Sequence, residues 1–168
     1  MKIKLLVFLL FATLFNFAAC AGNSWEEKHF GNIAFSIPGS WYYYADDTDT
    51  MAAASDIEIS DTMDNGDDMT VSLLISDASD YYDTIEDATA DMYDTSIDST
   101  INIEIISESK WTNDKIEGRE IMCQMPANIM YIYFIEKDNK IYDLRLAFFG
   151  ESLNNYEKIA NQFRNSIK

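Results

Sequence analysis

Few residues in this chain of 168 have the types and spacing that chemistry requires, and carboxylates dominate those that do. There is one histidine, His29, which leaves no second imidazole for a histidine-based zinc site. Neither G-x-S-x-G nor H-E-x-x-H occurs, so no hydrolase elbow or metalloprotease helix is present. With 29 acids, carboxylate pairs of the kind glycosidases use arise by chance, and chain spacing says nothing about them. Asp61-Thr-Met-Asp-Asn-Gly66 puts glycine at the sixth place of a calcium loop and acceptors at the first and fifth. Met63 then fills the third ligand place and Ser72 the twelfth, where a bidentate glutamate is needed. The match fails, and Asp61, Asp64, Asp67 and Asp68 are left as weak metal candidates in a tight acidic turn. The sequence implies no enzyme and no cofactor; a hydrolase using carboxylates in a surface cleft is the alternative.

The most regular set of polar residues is Asp80, Asp83, Asp87, Asp91, Asp94 and Asp98, at steps of 3, 4, 4, 3 and 4. Tyr82, Ile85, Thr89, Met92 and Ser96 recur at the same period on the opposite side. At ~100° per residue this predicts an amphipathic helix over 80–98 with an acidic ridge outward. Asp77 or Ser79 is the expected cap. Like charges at i,i+3 and i,i+4 weaken such a helix by about 0.2–0.5 kcal/mol per pair. Asp94 and Asp98 also oppose the helix dipole. A solvated face that maintains solubility is one reading of the ridge. A docking surface for a basic protein partner, or for loosely held divalent cations, is the other.

Charge is distributed unevenly. Between Lys28 and Lys110 there is no Lys or Arg, while Asp46 to Glu108 carry 19 acids. From Lys110 to Lys168 nine bases nearly balance eight acids. The net charge of −17 excludes nucleic acid as a partner, because binding it needs basic stripes that displace counterions. It also opposes direct adhesion to anionic headgroups.

The N-terminus reads as an address. Lys2 and Lys4 precede an apolar run from Leu5 to Phe15 broken only by Thr13, and Ala18 and Ala19 lead to Cys20. The run is too short to span ~30 Å of hydrocarbon and has the plan of a signal peptide over 1–19. Phe17-Ala18-Ala19-Cys20 resembles the bacterial lipobox, which makes Cys20 the lipid-attachment residue and the membrane a partner through the anchor. Two or three acyl chains at ~0.8 kcal/mol per buried CH₂ hold stably where one is marginal. An ordinary cut, for example after Ala21, is the alternative and releases a soluble protein. With Cys20 acylated, Cys123 has no disulfide partner and is expected as a small buried hydrophobe. If Cys20 is retained without lipid, a Cys20–Cys123 bridge is open to it. Residues 20–28 are expected as lipid-attachment site and short tether, and 29–168 as one domain. Its place is the bacterial cell envelope, outside the cytoplasm.

The domain's elements follow from periodicity. Ile33, Phe35 and Ile37 alternate, and Pro38-Gly39 ends that strand before the aromatic stretch Trp41 to Tyr44. Ile57-Glu-Ile59 and Met69 to Ile75 are further alternations, joined through Asn65-Gly66, a hairpin signal. After the helix, four strands follow in quick succession. These are Ile101 to Ile105; Lys115 to Gln124, with Gly118 as a bulge candidate; Ile129 to Ile135, apolar on both faces and hence central; and Ile141 to Phe149. Leu153, Tyr156, Ile159, Ala160, Phe163 and Ile167 form the apolar face of a last helix. The fold class expected is α+β: an antiparallel sheet of about six to seven strands with two helices packed on it.

Three segments carry a family resemblance: Phe35-Ser-Ile-Pro-Gly-Ser-Trp41, Lys140-Ile-Tyr-Asp-Leu-Arg-Leu146, and Tyr156-x-x-Ile159-x-x-x-Phe163-x-x-Ser166-Ile-Lys168. With the element order, residues 30–168 resemble the PsbP-like family, whose fold also occurs in a nuclear import factor that binds the Ran GTPase. The resemblance implies a non-enzymatic binding or accessory role and supplies no catalytic residues. A purely structural envelope protein is the remaining alternative.

Overall fold

Strand β8 (Asn128–Lys137) buries five consecutive side chains, Tyr131 to Ile135, and a strand apolar on both faces must lie inside a sheet covered on both sides. The computed structural model describes residues 24–46, 48, 50–58, 69–97, 102–113, 116–150 and 155–168. In it β8 lies between β9 (Lys140–Phe149) and β7 (Ile116–Gln124). Outward from β7 comes the edge strand β6 (Glu104–Asn113). On the other side of β9 follow β5 (Val71–Asp77), β4 (Met51–Ser55) and β3 (Tyr42–Ala45), giving the order β3-β4-β5-β9-β8-β7-β6. Every pairing is antiparallel. Asp138 and Asn139 close the β8–β9 hairpin at φ 53° and 61°, the left-handed pair that a type I′ turn needs.

One face of the sheet is covered over its centre. A hairpin of β1 (Trp25–Phe30) and β2 (Ile33–Pro38) lies on it together with helix α2 (Tyr156–Ser166). Phe30, Ile33, Phe35 and Ile37 from the hairpin and Ala160, Phe163 and Ile167 from the C-terminus pack with Tyr131, Tyr133, Tyr142, Leu144, Leu146 and Phe148. Phe163 meets Phe35 and Tyr133 with centroids 5.9 and 5.6 Å apart. The chain ends are tied in: Ala34 N–H donates to the Lys168 carbonyl at 3.0 Å, and Lys168 N–H to the Ala34 carbonyl at 2.8 Å. Gly31, at φ 52°, turns β1 into β2 against the buried ring of Tyr142, whose hydroxyl accepts the Asn32 N–H at 3.1 Å.

The second face carries helix α1 (Ile85–Ile97), which seals Ile85, Ala88 and Met92 against Ile121, Cys123, Ile132 and Phe134 of β7 and β8. Ile103 and Ile105 pack at its margin. No helix among the described residues is long and apolar enough to cross a membrane.

The α+β class, a seven-stranded antiparallel sheet and two helices stand as expected, while β1 and β2 form a separate two-stranded sheet that was not expected. Several local expectations need correction. Trp25 to Lys28 belong to β1, inside the segment expected as tether, because they pair with Pro38 to Phe35. The strand expected at Ile57-Glu-Ile59 is absent at Ile57 and Glu58: β4 lies earlier, at Met51–Ser55, Ile57 lies in the bend that follows it, and Ile59 is outside the described residues. Asp56 accepts the N–H groups of Thr70 and Val71 at 3.1 Å each, so its carboxylate rather than a ladder closes this end of β5. Gly118 is no bulge. The register slips in β6 between Ile105 and Ser107, whereas Gly118 pairs directly with Trp111. A Cβ on Gly118 would stand 2.5 Å from the indole Cε2, so the missing side chain makes room for the ring. Asp61, Asp64, Asp67, Asp68, the Asn65-Gly66 turn, Asp98, Leu153 and Cys20 lie outside the described residues.

Two outcomes follow. Gly118→Val displaces the indole from the edge and is expected to lower stability by about 1–3 kcal/mol, with a red shift of tryptophan emission; urea unfolding checks both. Burial pushes the Cys123 thiol up to about 11. In a Cys20→Ala chain at about pH 8, iodoacetamide should leave Cys123 unmodified until denaturant is added; rapid labelling of the native chain would contradict its place under α1.

Candidate functional site

The acidic ridge is shorter than its periodicity suggests, because Thr84 starts the helix. The Asp87 N–H donates to Thr84 Oγ1 at 3.1 Å, and the Thr84 hydroxyl donates to Asp87 Oδ2 at 2.8 Å, a reciprocal cap. Asp80 and Asp83 therefore precede α1, in turn and bend, and only Asp87, Asp91 and Asp94 lie on its outer surface. All five are exposed. Asp87, at the positive end of the helix dipole, is well placed; Asp94, in a last turn that holds no basic residue, is not. Asp77 and Ser79, expected as caps, do another job. Ser79 N–H donates to Asp77 Oδ1 at 3.1 Å, Lys140 Nζ lies 2.6 Å from Asp77 Oδ2, and Ile141 N–H donates to Ser79 Oγ at 2.9 Å. Together they pin the β5–α1 connection to the start of β9.

The cations nearest α1 pair with glutamates and not with the aspartates of the ridge. Arg119 binds Glu108 at 2.6 Å and Glu86 at 3.0 Å, and Lys110 lies 4.0 Å from Glu86. Asp91 instead accepts the Tyr82 hydroxyl at 2.8 Å, and burial together with that carboxylate pushes the phenol up to about 12. Tyr82 stands edge-on to Phe134 at 6.2 Å and feels the charges of Asp143 and Arg145.

Periodicity gave no warning of the other half of this face. Helix α1 covers β7 and β8, whereas the same face of β3, β4 and β5 is exposed at Tyr42, Tyr44, Met51 and Leu74, with Ser55 buried at the end of β4. Register places Tyr44 opposite Ala53, Ala53 opposite Leu74, and Leu74 opposite Arg145. Tyr42 and Met51 flank this row on β3 and β4. Tyr42 is 50% exposed, Tyr44 62%, Met51 45% and Leu74 42%, so large apolar groups stand in water across three adjacent strands. One signal was in the sequence: Leu74 fills a polar place in the alternation Val71, Leu73, Ile75, between Ser72 and Ser76.

At the seam between the covered and bare halves, the buried carboxylate of Asp143 takes Arg145 Nη2 at 2.7 Å and Nε at 2.9 Å. Burial works against the guanidinium charge, and Asp143 outweighs it, so Arg145 stays charged. The pair neutralises itself.

The clefts lined by described residues are open. Trp111, Thr112, Asn113, Arg164 and Asn165 line an open cleft of ≈ 440 Å³ by the edge strand, where Arg164 turns to Glu120 at 3.4 Å. A smaller one of ≈ 230 Å³ includes Asp83 and Glu136. Both carboxylates are exposed, without the contrast of surroundings that divides acid from base in paired-carboxylate catalysis. His29 is 70% exposed and lies 3.4 Å from Glu27. Among the described residues no three His, Cys, Asp or Glu side chains gather as a metal site.

No family model matches the chain, and no curated protein matches it in sequence. Solved structures do match in shape. CyanoP, the PsbP of the cyanobacterium Synechocystis sp. PCC 6803, superimposes with a TM-score of 0.55 at 12% identity, over 88% of this chain and 92% of its own. The Ran-binding protein Mog1p of Saccharomyces cerevisiae gives 0.53 at 9% identity, over 86% and 96%. PA94 of Pseudomonas aeruginosa, of unknown function and a candidate regulator, gives 0.53 at 13% identity, again over 86% and 96%. At such identities the likeness concerns architecture alone, and by that measure this chain has the PsbP-like fold that CyanoP and Mog1p share.

Proposed function

We propose that the chain is an exported, lipid-anchored binding or accessory module rather than an enzyme. Cys20 carries the acyl chains, residues 1–19 are removed, and the α+β domain stands outside the cytoplasmic membrane. The observation that carries the binding role is the bare half-face of Tyr42, Tyr44, Met51 and Leu74 beside α1. A sheet that leaves large apolar side chains of one face in water has a surface to offer. Support from fold is of the same kind: Mog1p is a Ran-binding protein, and CyanoP is a PsbP.

The acidic composition suits an anchored module. Removal of 1–19 takes away Lys2 and Lys4 and no acid, which moves the net charge from −17 to −19. Repulsion from anionic headgroups then lifts the domain off the surface that the acyl chains hold it to. Strand β1 begins at Trp25, five residues after Cys20, so an anchor there holds the domain close to the bilayer.

Anchoring is tested by intact mass spectrometry of the protein from its native membrane fraction. The expected mass starts at Cys20 and includes acyl chains, and Cys20→Ala shifts the protein out of that fraction. A chain that retains Met1, has no lipid adduct and fractionates with the cytosol would contradict the proposal.

A further inference from the structure

The bare half-face has a shape and an electrostatic surrounding that narrow what covers it. Its width comes from β3, β4 and β5, three strands that at ~4.8 Å spacing set the outer two about 10 Å apart. A helix with its side chains is about 10 Å across and fits that strip, as α1 fits the strip beside it.

Its charge is one-sided. β3, β4, β5 and α1 all fall within the stretch between Lys28 and Lys110 that has no Lys or Arg. On the bare half the one cation among the described residues is Arg145, and Asp143 holds it with two hydrogen bonds from Nε and one from Nη2. Asp46 follows β3 at the Met51 end, where its N–H donates to the Met51 carbonyl at 3.0 Å. Its carboxylate, held by the Thr50 hydroxyl and neighbouring donors, lies well below the usual range at about 2. At the seam, Asp91 reaches Tyr82, which lies in the field of Asp143 and Arg145, the latter paired across the strands with Leu74. Acids thus flank the apolar centre on its two sides, Asp46 by β3 and Asp91 by α1. A second copy would bring the same charge of −17 to that border, whereas a basic partner would discharge it.

We propose that this half-face docks a basic amphipathic helix of a partner protein, laid beside α1 with its apolar side on Tyr42, Tyr44, Met51 and Leu74 and its cations toward Asp46 and Asp91. The proposal deepens the binding role argued above and does not depend on the anchor. It resembles helix-in-groove recognition, with the groove wall supplied by α1.

The test uses the purified full chain in detergent and a fluorescent helical peptide of leucines and lysines about 18 residues long, read by anisotropy. Its counterpart with glutamate for lysine is the control. Binding of the lysine peptide is expected, with the glutamate peptide at least about tenfold weaker. Tyr44→Ser with Leu74→Ser changes no charge and should weaken the lysine peptide about tenfold, as loss of interface anchors does. Both positions are exposed, and unchanged circular dichroism confirms the fold; Tyr42→Lys, which adds repulsion at the same place, should act in the same direction. Four results would overturn the proposal: no binding of the lysine peptide, equal binding of the two peptides, wild-type affinity in the serine double variant, or a dimer in sedimentation that Leu74→Ser dissolves. If the peptide binds as expected but native protein lacks the Cys20 lipid, the anchor is wrong and the dock stands. If the lipid is present and binding fails, the reverse holds.

Discussion

Strands β8 and β9 set the terms of this fold. Both bury side chains on the two faces of the sheet, so the chain must supply two covers. The first cover joins the two ends of the domain: hairpin β1–β2 and helix α2 hold one another through the reciprocal Ala34–Lys168 bonds and through Ser36 N–H donating to the Ser166 hydroxyl at 2.8 Å. Among the described residues the second cover is one helix, and one helix reaches only part of seven strands. Where it lies was decided by demand. Ile121, Cys123, Ile132 and Phe134 need α1, while Ser72, Ser76, Asp143 and Arg145 on the neighbouring strands can face water or one another. The bare half-face is what remains when one helix covers a seven-stranded sheet.

The strands that alternate cleanly were legible. Ile33, Phe35 and Ile37 became β2, and Tyr142, Leu144, Leu146 and Phe148 became one face of β9. Others were hidden for physical reasons. Trp25-Glu-Glu-Lys-His-Phe30 alternates poorly because β1 covers the sheet from outside and its outer surface is wet. Met51-Ala-Ala-Ala-Ser55 has weak strand propensity, and its pairing with β3 and β5 overrides that preference. Gly118 signalled either a bulge or a close approach, and only the partner strand, with Trp111 opposite, distinguishes the two.

The aspartate series shows a different limit. A period of three and four continues through Asp80 and Asp83 although the helix has not begun, because aspartate serves turns as readily as exposed helix positions. Thr84, with Asp87 as its reciprocal partner, fixed the start, and a capping signature three residues apart was in the sequence to be read. The half-face was less visible still. A tyrosine in a strand reads the same whether its ring is covered or bare, and what leaves Tyr42 and Tyr44 uncovered is the position of α1 across the sheet, which no local pattern contains.

The proposed binding role then rests on the relation between an apolar strip, its acidic border and the one helix that covers this face among the described residues. Site-specific photo-crosslinking in intact cells tests this most directly, with a benzophenone side chain at Tyr44 and, as control, at Gln162 on the exposed side of α2. The account predicts that the Tyr44 position captures a peptide with lysines or arginines around an apolar stripe, and that the Gln162 position does not. Capture of an acidic peptide, of a second copy of this chain, or of the same products at both positions would contradict it.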